Sequence, residues 1–282
     1  MSTPKLPDDV SETVRRALAE DMGPGDLTAA LIPAEARAEA QVITRENAVL
    51  CGTAWFDEVF RQVDKHIRVV WPIKDGDAIR AGQALCSASG PARGLLTGER
   101  TALNFLQLLS GTATRTRQYV DAVRGTKTII LDTRKTVPGL RRAQKYAVAC
   151  GGGQNHRMGL YDAILIKENH IAAAGSITAA LEAARNSASR DVSIEIEVEN
   201  IGQLREALAT NADRLLLDNF SVKELKVAVA ETHGQAKLEA SGGIDLSNIR
   251  AFAETGVDFI SVGDMTKNVL AVDLSMRFTH AS

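Results

Sequence analysis

Six short apolar segments recur at a near-constant spacing through the second half of the chain, each followed by a stretch with helical periodicity. They begin near residues 128, 162, 192, 214, 237 and 259, so the last four start 22 or 23 residues apart. This spacing is the length of one strand, one crossover helix and two short loops. The pattern predicts serial βα units that form a parallel sheet or a (β/α) barrel, and residues 146–157 leave room for a seventh short strand.

The first hundred residues lack this repeat. Val10, Val14 and Leu18 recur at helical spacing and predict an opening helix. The segments that follow alternate short apolar runs with glycine-rich turns, which is typical of short strands with one helix around residues 55–60. This part of the chain therefore predicts a domain of mixed α and β structure.

A long helical run joins the two parts, from Leu95 to about Val123, and we expect it to hinge at Ser110 and Gly111. The domains expected are an N-terminal α+β domain over residues 1–110 and an α/β barrel catalytic domain over residues 111–282. The residues from about 270 are free to return to the first domain. The fold class expected is α/β, an incomplete (open) TIM-like α/β barrel with an N-terminal α+β domain.

Charge and cysteine content exclude several kinds of partner. The formal net charge is −2, with 33 basic and 35 acidic residues, so no overall positive field attracts nucleic acid or an anionic membrane. No stretch approaches the roughly 20 apolar residues of a membrane helix. Cys51, Cys86 and Cys150 are odd in number and show no CxxC spacing, which argues against disulfides or a zinc knuckle. We expect a cytoplasmic protein.

Charged residues or glycines lie at the ends of all six predicted strands. The carboxyl ends of parallel strands meet at one mouth of a barrel, where active sites are found. A single polar residue at such an end is most often an ordinary loop residue, but six strand ends together favour one shared site. The residues, strand by strand, are Asp132, Arg134 and Lys135; Lys167; Glu195, Glu197 and Glu199; Asp218; Ser241, Gly242 and Gly243; Gly263 and Asp264.

The basic residues of this set indicate an anionic ligand. Arg134, Lys135, Arg157 and Lys167, with His156 beside Arg157, form a cluster suited to carboxylates or phosphates, for which guanidinium provides two parallel hydrogen bonds. A nucleic-acid surface is the alternative for this basic region. No aromatic residues for base stacking are interleaved with it, so we favour a small polyanion.

The acidic residues are expected to share one face of a strand. Glu195, Glu197 and Glu199 alternate with apolar residues, which places them on the inner face if the strand belongs to a barrel. Buried carboxylates need lysine partners, a divalent cation or ligand hydroxyls. The alternative is an edge strand with a solvated polar face.

The last two predicted strands end in small residues that precede a helix. Ser241, Gly242 and Gly243 follow one strand and Gly263 follows the next. Barrels commonly bind phosphate on the loops after their last two strands, through backbone N–H groups and helix N-termini. Each glycine pair alone is more often a tight turn, and His156 and His170 lack the spacing of zinc ligands.

Several of these segments together resemble one family. LLTGERTALNFLQLLSG, LDTRKTVPGLRRAQKYAVACGGGQNHRMGLYDAILIKENHI, EIEVEN, LLLDNF, EASGGI and AVDLSMRF resemble the quinolinate phosphoribosyltransferases, in the order in which that family uses them. The resemblance covers nearly the whole chain, and the segment from DTRKT to KENHI is its most specific part. It implies transfer of phosphoribose from phosphoribosyl pyrophosphate (PRPP) to quinolinate with loss of CO₂, giving nicotinate mononucleotide for NAD biosynthesis.

The resemblance also implies roles for individual residues. It assigns the carboxylates of quinolinate to Arg134, His156, Arg157 and Lys167, and it includes Thr136 among the substrate-binding residues. It implies a homodimer, with a hexamer as the larger assembly, in which Arg100 reaches into the site of the neighbouring subunit. It implies that the 5′-phosphate is bound by Ser241, Gly242, Gly243 and Gly263. The catalytic residues implied are Lys135, Lys167, Glu197 and Asp218, the last two also holding ribose hydroxyls or Mg²⁺ on the pyrophosphate.

One departure from the family pattern and two alternatives remain. Asp264 and Met265 stand where the family commonly has a small apolar pair, and an acid beside a phosphate cradle repels phosphate unless it binds metal or points away. The first alternative is a homologue of the same fold associated with molybdenum uptake, with a binding role. The second is a phosphoribosyltransferase that accepts nicotinate. The intact DTRKT, NHR and IKENH segments favour the enzyme that acts on quinolinate.

Overall fold

A computed structural model describes residues 4–189 and 192–281 of the chain. Its helices are α1 (Val10–Met22), α2 (Thr53–Val63), α3 (Ala92–Ala122), α4 (Arg141–Gly151), α5 (Glu168–Ala174), α6 (Ile177–Ser187), α7 (Ile201–Ala209), α8 (Val222–Thr232), α9 (Ile249–Ala253) and α10 (Asp264–Lys267). Its strands are β1 (Arg37–Thr44), β2 (Ala48–Val49), β3 (Arg68–Val70), β4 (Ala78–Ile79), β5 (Ala84–Pro91), β6 (Ile129–Leu131), β7 (Ala163–Ile166), β8 (Ser193–Val198), β9 (Arg214–Asp218), β10 (Lys237–Ser241), β11 (Phe259–Ser261) and β12 (Leu274–Ala281).

The chain forms two compact units, each built from segments that are distant in sequence. The first unit comprises Met1–Arg117, Thr136–Gly152 and Met265–Ser282. The second comprises Gln118–Lys135 and Gly153–Asp264. No single position in the sequence divides the two units, because each contains segments from different parts of the chain. The domain boundary expected at residue 110 stays a prediction.

The first unit contains an antiparallel sheet with strand order β12-β1-β5-β3 and a small second sheet formed by β2 and β4. β1 pairs with β5 on one side and with β12 on the other, so the C-terminal strand lies beside a strand from the start of the chain. Trp55 and Phe56 of α2 are fully buried in the core of this unit, where Leu103 and Leu106 of α3 are also buried. The predicted opening helix is confirmed as α1, with Val14 and Leu18 buried.

The hinge expected near residue 110 is not present, because α3 continues through Ser110 and Gly111 over 31 residues. A Cβ atom added at Gly111 would lie only 2.1 Å from the carbonyl oxygen of Leu270. The glycine therefore permits a close approach of two chain segments, and the helix around it stays unbroken.

The second unit contains a six-stranded sheet with order β6-β11-β10-β9-β8-β7, and all its pairs are parallel. Each of its six strands is followed along the chain by at least one helix, and the strands begin within one residue of the predicted positions. Gln154 forms an isolated parallel bridge with Leu131 on the free side of β6, which is all that forms of the expected seventh strand. The predicted fold, an open α/β barrel with an N-terminal α+β domain, is confirmed.

Alternation along the strands decides which side chains face the site. In β9, Leu215 and Leu217 are fully buried, whereas Arg214 and Asp218 retain partial exposure on the other face. The register aligns Asp218 with Ser241 of β10. Side chains two residues apart on one strand therefore share a face. Aligned side chains of neighbouring strands form layers below the carboxyl ends of the sheet.

No helix within the described part of the chain combines the length and apolar character needed to cross a bilayer. Cys51, Cys86 and Cys150 are all buried and free.

Candidate active site

Three predicted residues meet at the carboxyl ends of the neighbouring strands β7, β8 and β9. Lys167 directly follows β7, and its Nζ donates to Glu197 Oε2 at 2.7 Å. Burial raises the pKa of Glu197, the negative charge of Asp218 adds to this effect, and Lys167 opposes it. Two carboxylates and one ammonium group are therefore close together at this end of the sheet.

The loop after Gln154 carries His156 and Arg157 and is fixed to the end of β6. The N–H of His156 donates to Asp132 Oδ1 at 2.8 Å, and Asp132 is fully buried. Burial lowers the pKa of Arg157, and the positive charge of Arg134 lowers it further. The positive charge of Arg134 therefore acts on the Arg157 guanidinium in this part of the second unit.

The Arg157 side chain extends away from Lys167 in this structure. Its Nη1 donates to the carbonyl oxygen of Ala163 at 3.2 Å, and Ala163 begins β7 whereas Lys167 follows its end. A cavity of about 340 Å³, within the range of small-molecule sites, borders this side of the loop. Its lining includes His156, Arg157, Ser193, Glu195 and Arg214.

Both ring nitrogens of His156 have partners within the protein. Nδ1 accepts the N–H of Arg157 at 2.7 Å, and Nε2 lies 2.9 Å from Glu195 Oε2. In this arrangement the imidazole supports the main chain of its neighbour. The prediction that His156 itself contacts an anionic ligand stays a prediction.

Lys135 and Gly263 lie side by side because β6 and β11, which precede them, are paired. A Cβ at Gly263 would come within 2.9 Å of Lys135 Cδ and 3.4 Å of Thr133 Oγ1. The absence of a side chain at position 263 therefore lets the Lys135 chain pass across the end of β11. Thr133 Oγ1 also accepts the N–H of Lys135 at 3.0 Å, which fixes the start of this loop.

The glycines after β10 adopt a backbone conformation that other residues rarely take. Gly242 and Gly243 have φ angles of +95° and +61°. A Cβ at Gly242 would lie 2.1 Å from Asn219 Oδ1, so glycine is required there for two reasons. The N–H of Asn219 donates to the Ser241 carbonyl oxygen at 2.9 Å, which joins the ends of β9 and β10.

Four other predicted residues have different placements. Glu199 is exposed because β8 ends at Val198, so the shared buried face predicted for three acids holds for Glu195 and Glu197 alone. Asp264 accepts a hydrogen bond from the Tyr119 hydroxyl at 2.8 Å. Thr136 and Arg100 belong to the first unit, where Thr136 Oγ1 accepts from Arg141 Nε and Arg100 is exposed on α3.

Sequence reasoning missed two charged residues inside the barrel, Arg214 and Glu239. Arg214 donates to Glu195 Oε1 at 2.9 Å and to Glu239 Oε2 at 2.5 Å, and its guanidinium lies 4.5 Å from the centre of the Phe259 ring. Arg214 precedes Asp218 by four residues, and Glu239 precedes Ser241 by two, so each lies on the same face of its strand as a predicted mouth residue. This period of two residues was the signal in the sequence that could have identified them. His156, Glu195 and Glu239 are close enough to hold a metal ion, but Arg214 already supplies the positive charge.

An open α/β barrel with these charged groups and glycines at its strand ends defines a protein with a site for small anionic molecules. The chain matches the family models described as quinolinate phosphoribosyl transferase, N-terminal domain (residues 26–110) and C-terminal domain (residues 112–277). The chain belongs to the quinolinate phosphoribosyltransferase family.

Named relatives and solved structures agree with this assignment. The chain is 46% identical to a nicotinate-nucleotide pyrophosphorylase [carboxylating] of Mycobacterium leprae, over 95% of this chain and 97% of that protein. It is 45% identical to a probable enzyme of the same name from Bacillus subtilis, over 92% and 90%. The nicotinate-nucleotide pyrophosphorylase structure from Francisella tularensis superposes with a TM-score of 0.92 at 46% identity, over 99% of both chains.

Proposed function

We infer that this chain transfers the phosphoribosyl group of PRPP to the ring nitrogen of quinolinate, with loss of CO₂. The products are nicotinate mononucleotide and pyrophosphate, and the reaction serves de novo NAD biosynthesis. The high identity to enzymes named for this reaction, across nearly the whole length of each protein, supports the inference. Those names give no support to a homologue with a binding role in molybdenum uptake.

The effect of the Arg134 charge on Arg157 is the observation that carries the substrate assignment. Their mutual repulsion, added to the effect of burial, lowers the pKa of Arg157. An anion between them relieves that repulsion, and quinolinate offers two adjacent carboxylates. We propose that Arg134 and Arg157 bind these carboxylates by charge-assisted hydrogen bonds, with Lys167 and His156 completing the site.

We propose that the phosphoribosyl end is held by the glycine-rich strand ends. Gly242 and Gly243 have positive φ angles, and nothing lies within 4 Å of the Cβ position of Gly243, so a phosphate has room to approach this backbone closely. Ser241 and Gly263 flank this loop on neighbouring strands. Lys135, which lies against Gly263, supplies a further contact to the phosphates.

Mg²⁺ is the cofactor that the donor set fits. The Asp218 charge, after burial, contributes to the raised pKa of Glu197, so the two carboxylates are near neighbours. Hard oxygen donors of this kind are preferred by Mg²⁺, which commonly reaches proteins through one or two carboxylates and substrate phosphates. We propose that Glu197 and Asp218 would hold Mg²⁺, which would supply positive charge to neutralise the pyrophosphate leaving group.

The side chains at the mouth suit both chemical steps. As pyrophosphate leaves, positive charge develops at the ribose carbon, and the Glu197 and Asp218 carboxylates stabilise it. After ribosylation, the cationic ring nitrogen stabilises the carbanion that decarboxylation leaves on the adjacent carbon. A proton must then be supplied. Lys135 and Lys167 are the two candidate donors, and Lys167 Nζ lies 2.7 Å from Glu197 Oε2.

We propose that the enzyme is a cytoplasmic homodimer, with a hexamer as the alternative assembly. Arg100 lies exposed on α3, and we propose that it enters the site of the partner subunit and adds a further charge for quinolinate. The three free, buried cysteines suit a reducing compartment.

The proposed function predicts that the purified protein makes nicotinate mononucleotide from quinolinate when PRPP and Mg²⁺ are present. Nicotinate, which lacks the second carboxylate, is expected to be a substrate at least 100-fold worse in kcat/KM, because an enzyme site loses about 3 kcal/mol or more when buried charges stay unpaired. Chromatographic product analysis with each acid alone and in competition measures this. Equal turnover of the two acids would replace this function with that of a nicotinate phosphoribosyltransferase.

A further inference from the structure

Four charged or ionisable side chains form a network in the second unit, and the proposed function assigns a direct role to one of them, His156. The network comprises Glu195 of β8, Arg214 of β9, Glu239 of β10 and His156 of the loop before β7. His156 and Arg214 each contact both carboxylates. Glu195 and Glu239 are 3% and 0% exposed. Glu195 precedes Glu197 by two residues on the same face of β8, so it lies one layer below the mouth.

The hydrogen bonds of His156 fix which of its ring nitrogens carries hydrogen. The N–H of Arg157 points to Nδ1 at 2.7 Å, and a nitrogen that accepts a hydrogen bond carries no hydrogen. The hydrogen of the neutral ring is then on Nε2, which donates to Glu195 Oε2 at 2.9 Å. Burial opposes a charged ring, whereas the two carboxylates raise the pKa of His156 overall. The Arg157 N–H acts against that charge, because an imidazolium has no acceptor for it.

The two acids of the network have different partners. Both oxygens of Glu195 accept hydrogen bonds, from His156 Nε2 and from Arg214 Nε. Glu239 contacts Arg214 through Oε2, while its Oε1 is buried with no hydrogen-bond partner among the described residues. Burial and the neighbouring Glu195 raise the pKa of Glu239 to about 7. Glu195 has two hydrogen-bond donors and Glu239 has one, so Glu239 is the acid of the pair for which the protonated form is more favoured.

We propose that Glu195 is a positioning residue for the reaction, which holds His156 as the neutral tautomer with hydrogen on Nε2. His156 Nδ1 is thereby kept as the acceptor for the Arg157 N–H, and this bond sets the main chain from which the Arg157 side chain extends. To bind quinolinate, the Arg157 guanidinium must leave the Ala163 carbonyl oxygen. Asp132 anchors the same loop from the other side by accepting the His156 N–H. The inference rests on the proposed function, because it assigns Arg157 to that substrate.

Two Glu→Gln substitutions of equal size separate this role from simple packing. In Glu195→Gln, the amide NH₂ must face either His156 Nε2–H or Arg214 Nε–H, so one buried donor loses its acceptor. In Glu239→Gln, the amide oxygen still accepts from Arg214 and the NH₂ occupies the place of the unpartnered Oε1. Glu231→Gln, which removes the partner of Arg205 on the exposed faces of α7 and α8, is a matched surface control.

Glu195→Gln is expected to raise KM for quinolinate about tenfold to a hundredfold and to leave KM for PRPP within about twofold. Glu239→Gln and Glu231→Gln are expected to change neither constant by more than about twofold at pH 7. Steady-state kinetics on folded enzyme, with unfolding temperatures recorded, distinguishes the two roles. A merely structural Glu195 lowers the unfolding temperature without changing KM for quinolinate, and that result would overturn the inference.

A second measurement is independent of activity and of whether the variant folds. In wild-type protein labelled with ¹⁵N-histidine, the His156 signals at pH 7.5 are expected to show a protonated Nε2 and an unprotonated Nδ1. The opposite tautomer or an imidazolium in the wild type rejects the inference. If the wild type does not turn over quinolinate, the proposed function itself fails; if it does and Glu195→Gln keeps its KM, only the positioning role fails.

Discussion

Arg134→Ala is expected to remove measurable binding of quinolinate while the protein stays folded. Arg134 is exposed after the end of β6, so its truncation leaves no internal cavity. The loss of a charge-assisted contact to a carboxylate costs about 3 kcal/mol or more, which corresponds to roughly a hundredfold or larger increase in Kd. Calorimetric titration of quinolinate into wild type and variant measures this directly.

Arg124→Ala is the matched control for this experiment. Arg124 lies in the same unit, is 78% exposed in its side chain and pairs with Asp121 one helical turn earlier. Its removal is expected to leave quinolinate affinity unchanged, which separates loss of a specific contact from a general loss of positive charge. Unchanged affinity in Arg134→Ala itself would reject its assignment to the substrate.

Mixing two inactive variants, Arg100→Ala and Lys135→Ala, is expected to restore activity. If Arg100 serves the partner's site, each variant alone has a defect in every site. A hybrid dimer has one site with both residues intact and one site with neither. Random exchange makes about half of the dimers hybrids, so roughly a quarter of the wild-type activity is expected from protomers that are individually almost inactive.

Subunit exchange must be verified in the same sample, for which differently tagged protomers and recovery of the doubly tagged species suffice. Mixing Lys135→Ala with Lys167→Ala is a second informative combination under the same scheme. Both of those residues are proposed to serve their own subunit's site, so no hybrid site is complete and no recovery is expected. Recovery in that mixture, or none in the Arg100 mixture after proven exchange, contradicts the shared site.

Local periodicity explains why the barrel was predictable. The strands of the second unit are short runs of branched apolar residues, and those at Arg214, Lys237 and Phe259 begin where the apolar pattern placed them. Pairing between segments that are far apart in the sequence was harder to predict, because local patterns do not show it. β12 pairs with β1, which lies more than two hundred residues earlier in the sequence. Gly111 packs closely against Leu270 and α3 is continuous there, in place of the expected hinge.

The site residues likewise fall into those that local sequence patterns could predict and those that they could not. Residues after the strand ends, such as Lys167 and Asp218, were identified because the fold itself places those positions at one edge. Arg214 and Glu239 were missed because charged residues within apolar strands show their partners only once the register is known. The exposure of Glu199 likewise depends on where β8 ends, which alternation in the sequence does not fix.

The fate of the carboxyl group beside the ring nitrogen tests the central claim most directly. With quinolinate labelled in that carboxyl group, labelled CO₂ is expected to appear only when PRPP and Mg²⁺ are both present, in equal amount to pyrophosphate. Release of CO₂ without PRPP, or pyrophosphate formed while the label stays in the nucleotide, would contradict the coupling of phosphoribosyl transfer to decarboxylation in this site.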